Sequence, residues 1–416
     1  MKKIILLWFI CLLILNTKGQ TYKWSKSFGG PNYDIGKSIV IDKSKNVYCT
    51  GTFETSADLD PSLAVNQVIS NGNWDIFISK FDSSGQFIWG KSIGGIGLDR
   101  VFSIACDSQN NIYITGGFHG TVDFDPNFSV SNITTIGVED IFVAKYDSNS
   151  NLIWIKHVGE FGHGGVGTSI IVDNSNHLLI TGIFGVNIDF DPGPNIDLLT
   201  ANASDIFVWK LDLNGNHVWA KNMGGPNDDE GESISVDSFG NIYTTGLFRF
   251  TADFNPSSNI DTLVAGNEAI FVSKLDSNGN YIWAKGFAYS GANIGFGISN
   301  DKNGNVLVTG QFVGTVDFDP SSNAFPLTSN GNSDIFIIKL DPNGNLKWVY
   351  NFGGTSSDFG AKIAIDSLCN VYTTGSFSGS IDFDPNLGIY NLVSLNSSSI
   401  FISKLDSNGN FISAKK

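Results

Sequence analysis

Residues 298–352 hold, in order, Ile298-Ser299-Asn300-Asp301, Val306-Leu307-Val308-Thr309-Gly310-Gln311-Phe312, Val316-Asp317-Phe318-Asp319-Pro320, Asp334-Ile335-Phe336-Ile337-Ile338-Lys339, Asp341-Pro342-Asn343-Gly344-Asn345 and Leu346-Lys347-Trp348-Val349, with Gly353-Gly354 next. Short runs rich in Val, Ile, Phe and Trp, separated by Gly, Asn, Asp and Ser, are strand signals. Four such runs, here named a, b, c and d, make one unit. The unit recurs along the chain. Trp stands at 24, 89, 154, 219, 283 and 348, and Ser413 takes the next place, at intervals of 64 or 65 residues. No segment carries a 3.6-residue apolar period over three turns. Repetition at a fixed period outranks any local reading. Four antiparallel strands repeated about an axis describe a β-propeller blade.

The fold class expected is all-β: a β-propeller of six four-stranded blades, spanning 20–416 in six repeats of about 65 residues. One d-type strand, Tyr22-Lys23-Trp24-Ser25-Lys26, precedes the first a strand. It is expected to complete the last blade and close the ring, because an open ring leaves unpaired edges. The C-terminal Phe411-Ile412-Ser413 would then be redundant. The alternative is an incomplete ring whose further blades lie outside these residues.

Positions shared by every unit serve the blade before any ligand. Thr-Gly-x-Phe occurs six times, ending at Phe53, Phe118, Phe184, Phe248, Phe312 and Phe377. Strand c carries Phe77, Phe142, Phe207, Phe271, Phe336 and Phe401, and four Asp-Phe-Asp-Pro motifs with Asp253-Phe254-Asn255-Pro256 add five more. These rings are expected to fill the gaps between facing blades, each contributing ~1.5–3 kcal/mol on full burial. Asp82, Asp147, Asp212, Asp276, Asp341 and Asp406 open the c–d turns. Asp accepts backbone N–H bonds in such turns and Gly supplies the positive φ.

The repeat string Ser-Ile-x-x-Asp, Asn-x-Tyr-x-Thr-Gly, Asp-Ile-Phe-x-x-Lys-x-Asp-Ser-Asn-Gly-Asn and Phe-Ile-Trp-x-Lys-Ser-x-Gly-Gly resembles the bacterial β-propeller repeat proteins called SBBP-repeat proteins. The resemblance covers residues 21–416 and is closest to secreted or surface versions in Bacteroidetes-type bacteria. It implies a propeller and an extracytoplasmic location. It implies no single activity.

The chain has 416 residues and a formal net charge of -15, with 16% charged and 12% aromatic residues. So many aromatics exclude a disordered chain. Arg100 and Arg249 are its only arginines. Nucleic-acid binding needs a basic surface and is not expected. Met1-Lys2-Lys3, the apolar run Ile4 to Leu15 and the small polar end at Gly19 read as a secretory signal peptide over 1–19. The mature chain is then secreted or held at the cell surface, without a membrane span, and is expected to be a monomer. Cys49, Cys106 and Cys369 are too few and too scattered for a disulfide framework.

Chemistry is sparse. The pairs Asp58/Asp60, Asp123/Asp125, Asp189/Asp191, Asp317/Asp319 and Asp382/Asp384 each precede Pro. Residues i and i+2 of an extended segment share a side, so each pair offers two carboxylates to Ca²⁺, a hard ion that takes six to eight oxygens. The other reading makes them caps for the loop's own N–H groups. The d–a loops add Asp34, Asp99, Asp229 and Asp358, which predicts an acidic loop face. Trp74 and Trp209 fall outside the repeated Trp positions, and His163 lies in the pattern-breaking Phe161-Gly162-His163-Gly164-Gly165. These three are the candidate ligand-binding residues. No zinc spacing and no catalytic cluster appear. The expected function is therefore a non-catalytic module that binds an extracellular protein or polysaccharide. The competing reading is a calcium-dependent glycan hydrolase or lyase on the acidic face.

Overall fold

The computed structural model describes residues 23–127, 129–287, 291–395 and 397–416. The expected signal peptide lies outside them. All regular structure is β, in antiparallel sheets. Unit 1 comprises Asp34–Ile41, Val47–Asp58, Gln67–Phe81 and Phe87–Gly95. Unit 2 has Arg100–Cys106, Ile112–Phe118, Asp140–Tyr146 and Leu152–Val158. Gly165–Val172, His177–Asp189, Leu198–Asp212 and His217–Met223 form unit 3. Glu230–Val236, Ile242–Asp253, Thr262–Leu275 and Tyr281–Phe287 form unit 4. Unit 5 is Ile294–Asn300, Val306–Phe312, Asp334–Leu340 and Leu346–Phe352. Unit 6 is Phe359–Ile365, Val371–Phe377, Ser399–Leu405 and Phe411–Lys415. Each pairs in the order a-b-c-d.

The long b–c connection is a second hairpin rather than an irregular loop. In units 1, 3 and 4 strands b and c run on into it through a bulge. In units 2, 5 and 6 it is a separate pair, such as Thr121–Asp123 with Asn132–Thr134. The chain turns into it at a left-handed residue in every unit: Thr55, Gly120, Val186, Phe250, Gly314 and Gly379.

Apolar clusters join unit 1 to 2, 2 to 3, 3 to 4, 4 to 5 and 5 to 6. All six Thr-Gly-x-Phe rings are fully buried. In units 2 to 6 the ring of the Asp-x-Asp motif (Asp253-Phe254-Asn255 in unit 4) packs on its strand c Phe at 4.9–5.3 Å. A polar latch repeats between units. The strand c lysine of one unit reaches the turn carbonyl of the next: Lys80 to Ser148, Lys145 to Leu213, Lys210 to Ser277, Lys274 to Pro342 and Lys339 to Ser407, at 2.8–3.1 Å.

The N-terminal strand does not complete the last unit. Strand Phe411–Lys415 pairs there with Ser399–Leu405, so that edge is taken. The N-terminal segment instead lies against unit 1, where Gly29 and Asp58 exchange backbone hydrogen bonds of 3.0 and 3.1 Å.

Candidate functional site

Strand a of every unit contains a β-bulge: the register shifts between Gly36 and Ser38, Val101 and Ser103, Gly167 and Ser169, Gly231 and Ser233, Gly295 and Gly297, and Gly360 and Lys362. A bulge inserts one unpaired residue and re-aims its side chain. The inserted residues are Lys37, Phe102, Thr168, Glu232, Phe296 and Ala361. All six line a single cavity of about 240 Å³, together with Phe359 and Lys362. One residue from each first strand therefore faces a common axial space. The Thr-Gly-x-Phe glycine makes the bulge possible. A Cβ at Gly51, Gly116, Gly182, Gly246, Gly310 or Gly375 would stand 1.8–2.0 Å from the carbonyl two residues before the inserted one. That close backbone approach admits glycine alone.

The axial residues break the symmetry that the rest of the unit keeps. Lys37 lies 5.4 Å from the Phe102 ring centroid, and Arg100 lies 5.5 Å from it. Arg100 is also bound to Glu139, at 2.6 and 2.8 Å. Phe296 and Phe359 meet edge-on at 6.1 Å. Thr168 donates to the Gly231 carbonyl at 2.5 Å. Desolvation pushes the Glu232 carboxyl up to about 7, against the pull of Lys362 and Lys37. Desolvation likewise holds Lys37 and Lys362 below the usual lysine range, while Glu232 acts to raise both. The cavity thus sets two lysines and one carboxylate among phenyl rings, a mixed surface suited to holding a polar ligand.

The Asp-x-Asp carboxylates bind their own loops. Asp58 Oδ1 accepts the amides of Asp60 and Asn66, at 3.1 and 2.9 Å. Asp123, Asp189, Asp317 and Asp382 do the same for residues two and eight places on. The second carboxylates, Asp60, Asp125, Asp191, Asp319 and Asp384, each accept the amide two residues further along. Among the described residues no group of three or more His, Cys, Asp or Glu is placed to hold a metal ion.

The loop face is less acidic than its sequence suggests. Asp99, Asp229 and Asp358 are buried, accepting the amides of Gly95, Gly225 and Gly354 at 2.7–2.9 Å. Asp205 is buried beside Asp229. Desolvation, reinforced by that neighbour, raises its carboxyl to about 7. Buried carboxylates recur at this position as Asp75, Asp140 and Asp334, which marks Asp205 as part of the scaffold.

Trp209 is fully buried, with Nε1 donating to His217 Nδ1 at 3.2 Å, so its ring offers no platform to a sugar. Trp74 is half-buried and donates to Glu54. His163 is exposed, next to an exposed Phe161. The three are not brought together with the axial cavity. The axial set was missed because its residues vary between repeats, with only Phe102 and Phe296 alike. The signal was that one variable position, preceded by Gly in five of the six units and opposite an invariant glycine.

A family of β-propeller repeats, SBBP, matches residues 23–52 and 218–247. The chain carries two SBBP-repeat matches. Around them, an uncharacterized WD repeat-containing protein of Acanthamoeba polyphaga mimivirus is 25% identical over 422 positions, which take in 86% of this chain. The chain spans about 30% of the length of that curated relative. Among solved structures, a protein of unknown function from Bacteroides caccae is 10% identical with a TM-score of 0.41, covering 82% of this chain and 90% of that one. The WD40 β-propeller domain of Doa1 is 10% identical, with a TM-score of 0.31 and coverage of 84% and 92%. A gluconolactonase from Xanthomonas campestris is 11% identical, with a TM-score of 0.35 and coverage of 83% and 95%.

Proposed function

We propose that this SBBP-repeat chain is a secreted or surface-held, non-catalytic binding module whose radially stacked units present an extracellular protein or polysaccharide to the axial cavity and its mouth. The carrying observation is the broken symmetry at the bulge: Lys37, Phe102, Thr168, Glu232, Phe296 and Ala361 all differ in kind from their neighbours around the axis, while the surrounding repeat is kept. Units that served only as spacers would have no need for two lysines and a carboxylate set together among phenyl rings. The secretory reading rests on residues 1–19, and the binding reading does not depend on it.

A glycan array and a panel of extracellular proteins, followed by calorimetry on any hit, test the proposal. Glu232→Ala and Lys362→Ala are expected to weaken a hit at least tenfold while leaving the melting temperature within a few degrees. A hit untouched by both variants, or none at all across the panels, overturns it.

A further inference from the structure

Both ends of the stack of units show surfaces that are covered everywhere else. The strand a isoleucine is Ile104, Ile170, Ile234, Ile298 or Ile363 in units 2 to 6, between 2% and 8% exposed, because the preceding unit packs on it. Its counterpart in unit 1, Ile39, is 66% exposed. On strand c, the pair that meets the following unit is at most 1% exposed in units 1 to 5, as in Ile76 with Ile78 or Ile335 with Ile337. In unit 6 the pair is Ile400 and Ile402, at 72% and 47%. No apolar cluster among the described residues joins unit 6 to unit 1.

The N-terminal segment shows what belongs between them. It sits on unit 1 as the outer strand of a preceding unit would. Trp24 Nε1 donates to the Ser83 carbonyl at 3.3 Å, as Trp89 does to Ser148. Gly29 and Asp58 pair as Gly224 and Asp253 do. Gly30 donates to Asp34 as Gly95 does to Asp99. Phe28 packs on Phe77 and Phe81 at 5.7 Å. It is half-buried, whereas its counterparts Ile93, Val158, Met223, Phe287 and Phe352 are buried. Strands a, b and c of that preceding unit are absent from the described residues. The latch is missing with them: among the described residues the Ser83 carbonyl receives Trp24 and no lysine. At the other end, Lys404 stands 3.8 Å from Asp366 with no turn carbonyl of a following unit to reach.

We infer that the space between units 6 and 1 is a docking slot for one further three-stranded a–b–c unit of this same repeat. Its strand c pairs with residues 23–28. Its lysine, placed opposite Trp24 as Lys80 is opposite Trp89, reaches the Ser83 carbonyl. One of its faces covers Ile400 and Ile402, and the other covers Ile39. Apolar burial at both faces drives the docking, and the outer strand already in place sets its register. The inference stands apart from any ligand in the axial cavity.

The test appends a copy of residues 352–405 after Lys416 and compares hydrogen exchange, association state and mutant stability with the 416-residue chain. Amide exchange at 39–41 and 400–402 is expected to slow at least tenfold in the extended, monomeric chain. Ile402→Glu should leave the 416-residue chain's stability unchanged, lower that of the extended chain, and match Ile337→Glu only there. Unchanged exchange in a folded extended chain overturns the inference. So does Ile402→Glu destabilising the 416-residue chain as much as Ile337→Glu. A 416-residue dimer that Ile402→Glu dissociates assigns the slot to a second copy and also overturns it.

Discussion

The latch lysines allow a direct measurement of how the units are held together. Lys339 Nζ lies 2.9 Å from Asp301 Oδ2 and 3.1 Å from the Ser407 carbonyl, with side chains 3% and 1% exposed for the ion pair. Lys339→Met removes the cation and leaves the Asp301 carboxylate buried without it. Breaking such a pair costs about 3–5 kcal/mol, most of it the uncompensated charge. Lys404 occupies the same strand position in unit 6. Its ion pair with Asp366 is longer, at 3.8 Å, and more open to solvent, with side chains 15% and 29% exposed. Lys404→Met should therefore cost under about 1 kcal/mol. Urea unfolding followed by tryptophan fluorescence measures both, with hydrogen exchange checking that loss in Lys339→Met concentrates in units 5 and 6. Burial raises the Asp301 carboxyl, and the hydrogen bonds of Asn305 and Lys339 more than offset this. Without the lysine it should protonate more readily, so the Lys339→Met deficit should shrink as pH falls toward 4. Equal losses in the two variants, or a larger loss for Lys404→Met, would refute the latch.

Gly246→Ala places a Cβ 1.9 Å from the Glu230 carbonyl and should cost about 3 kcal/mol by overpacking, while Gly240→Ala, at a turn, should cost less; chemical denaturation distinguishes them. Desolvation raises Asp99 and Asp229 to about 6 and Asp205 and Glu232 to about 7, so the folded chain holds protons that unfolded carboxyls release near pH 4. Their contribution is complete below that pH and is lost as pH rises through 6 to 7, so melting temperature should fall from pH 5 to pH 8; a flat or rising profile refutes this. Millimolar Ca²⁺ should leave the melting temperature unchanged, because the paired Asp residues already bind loop amides; a rise reversed by chelator would show a calcium site. Trp24→Ala should speed amide exchange in unit 1 around Phe77 and Phe81 and leave unit 4 untouched.

Much of the fold was legible because the repeat writes the same physics six times. Strand positions, the Phe core and the Asp turns follow from alternation, Gly and Pro, and each is visible locally. Phe53, Phe118 and Phe184 were readable as core from their recurrence alone, and they are fully buried. Asp99 and Asp229 looked like surface acids because a sequence shows charge and conceals which amides lie within reach. Trp209 looked special for falling outside the repeat, yet its position on strand c turns it into the interior.

The amino-acid order by itself determined the unit, its strands and its stacking residues, since these depend on contacts within about 65 residues or between identical neighbours. Only the tertiary structure decided which side chains meet on the axis, because six bulges far apart in the chain converge there. It alone also decided where the first strand lies. Whether Trp24 docks on unit 1 or completes unit 6 depends on which edge is already occupied, and Phe411–Lys415 occupies the latter.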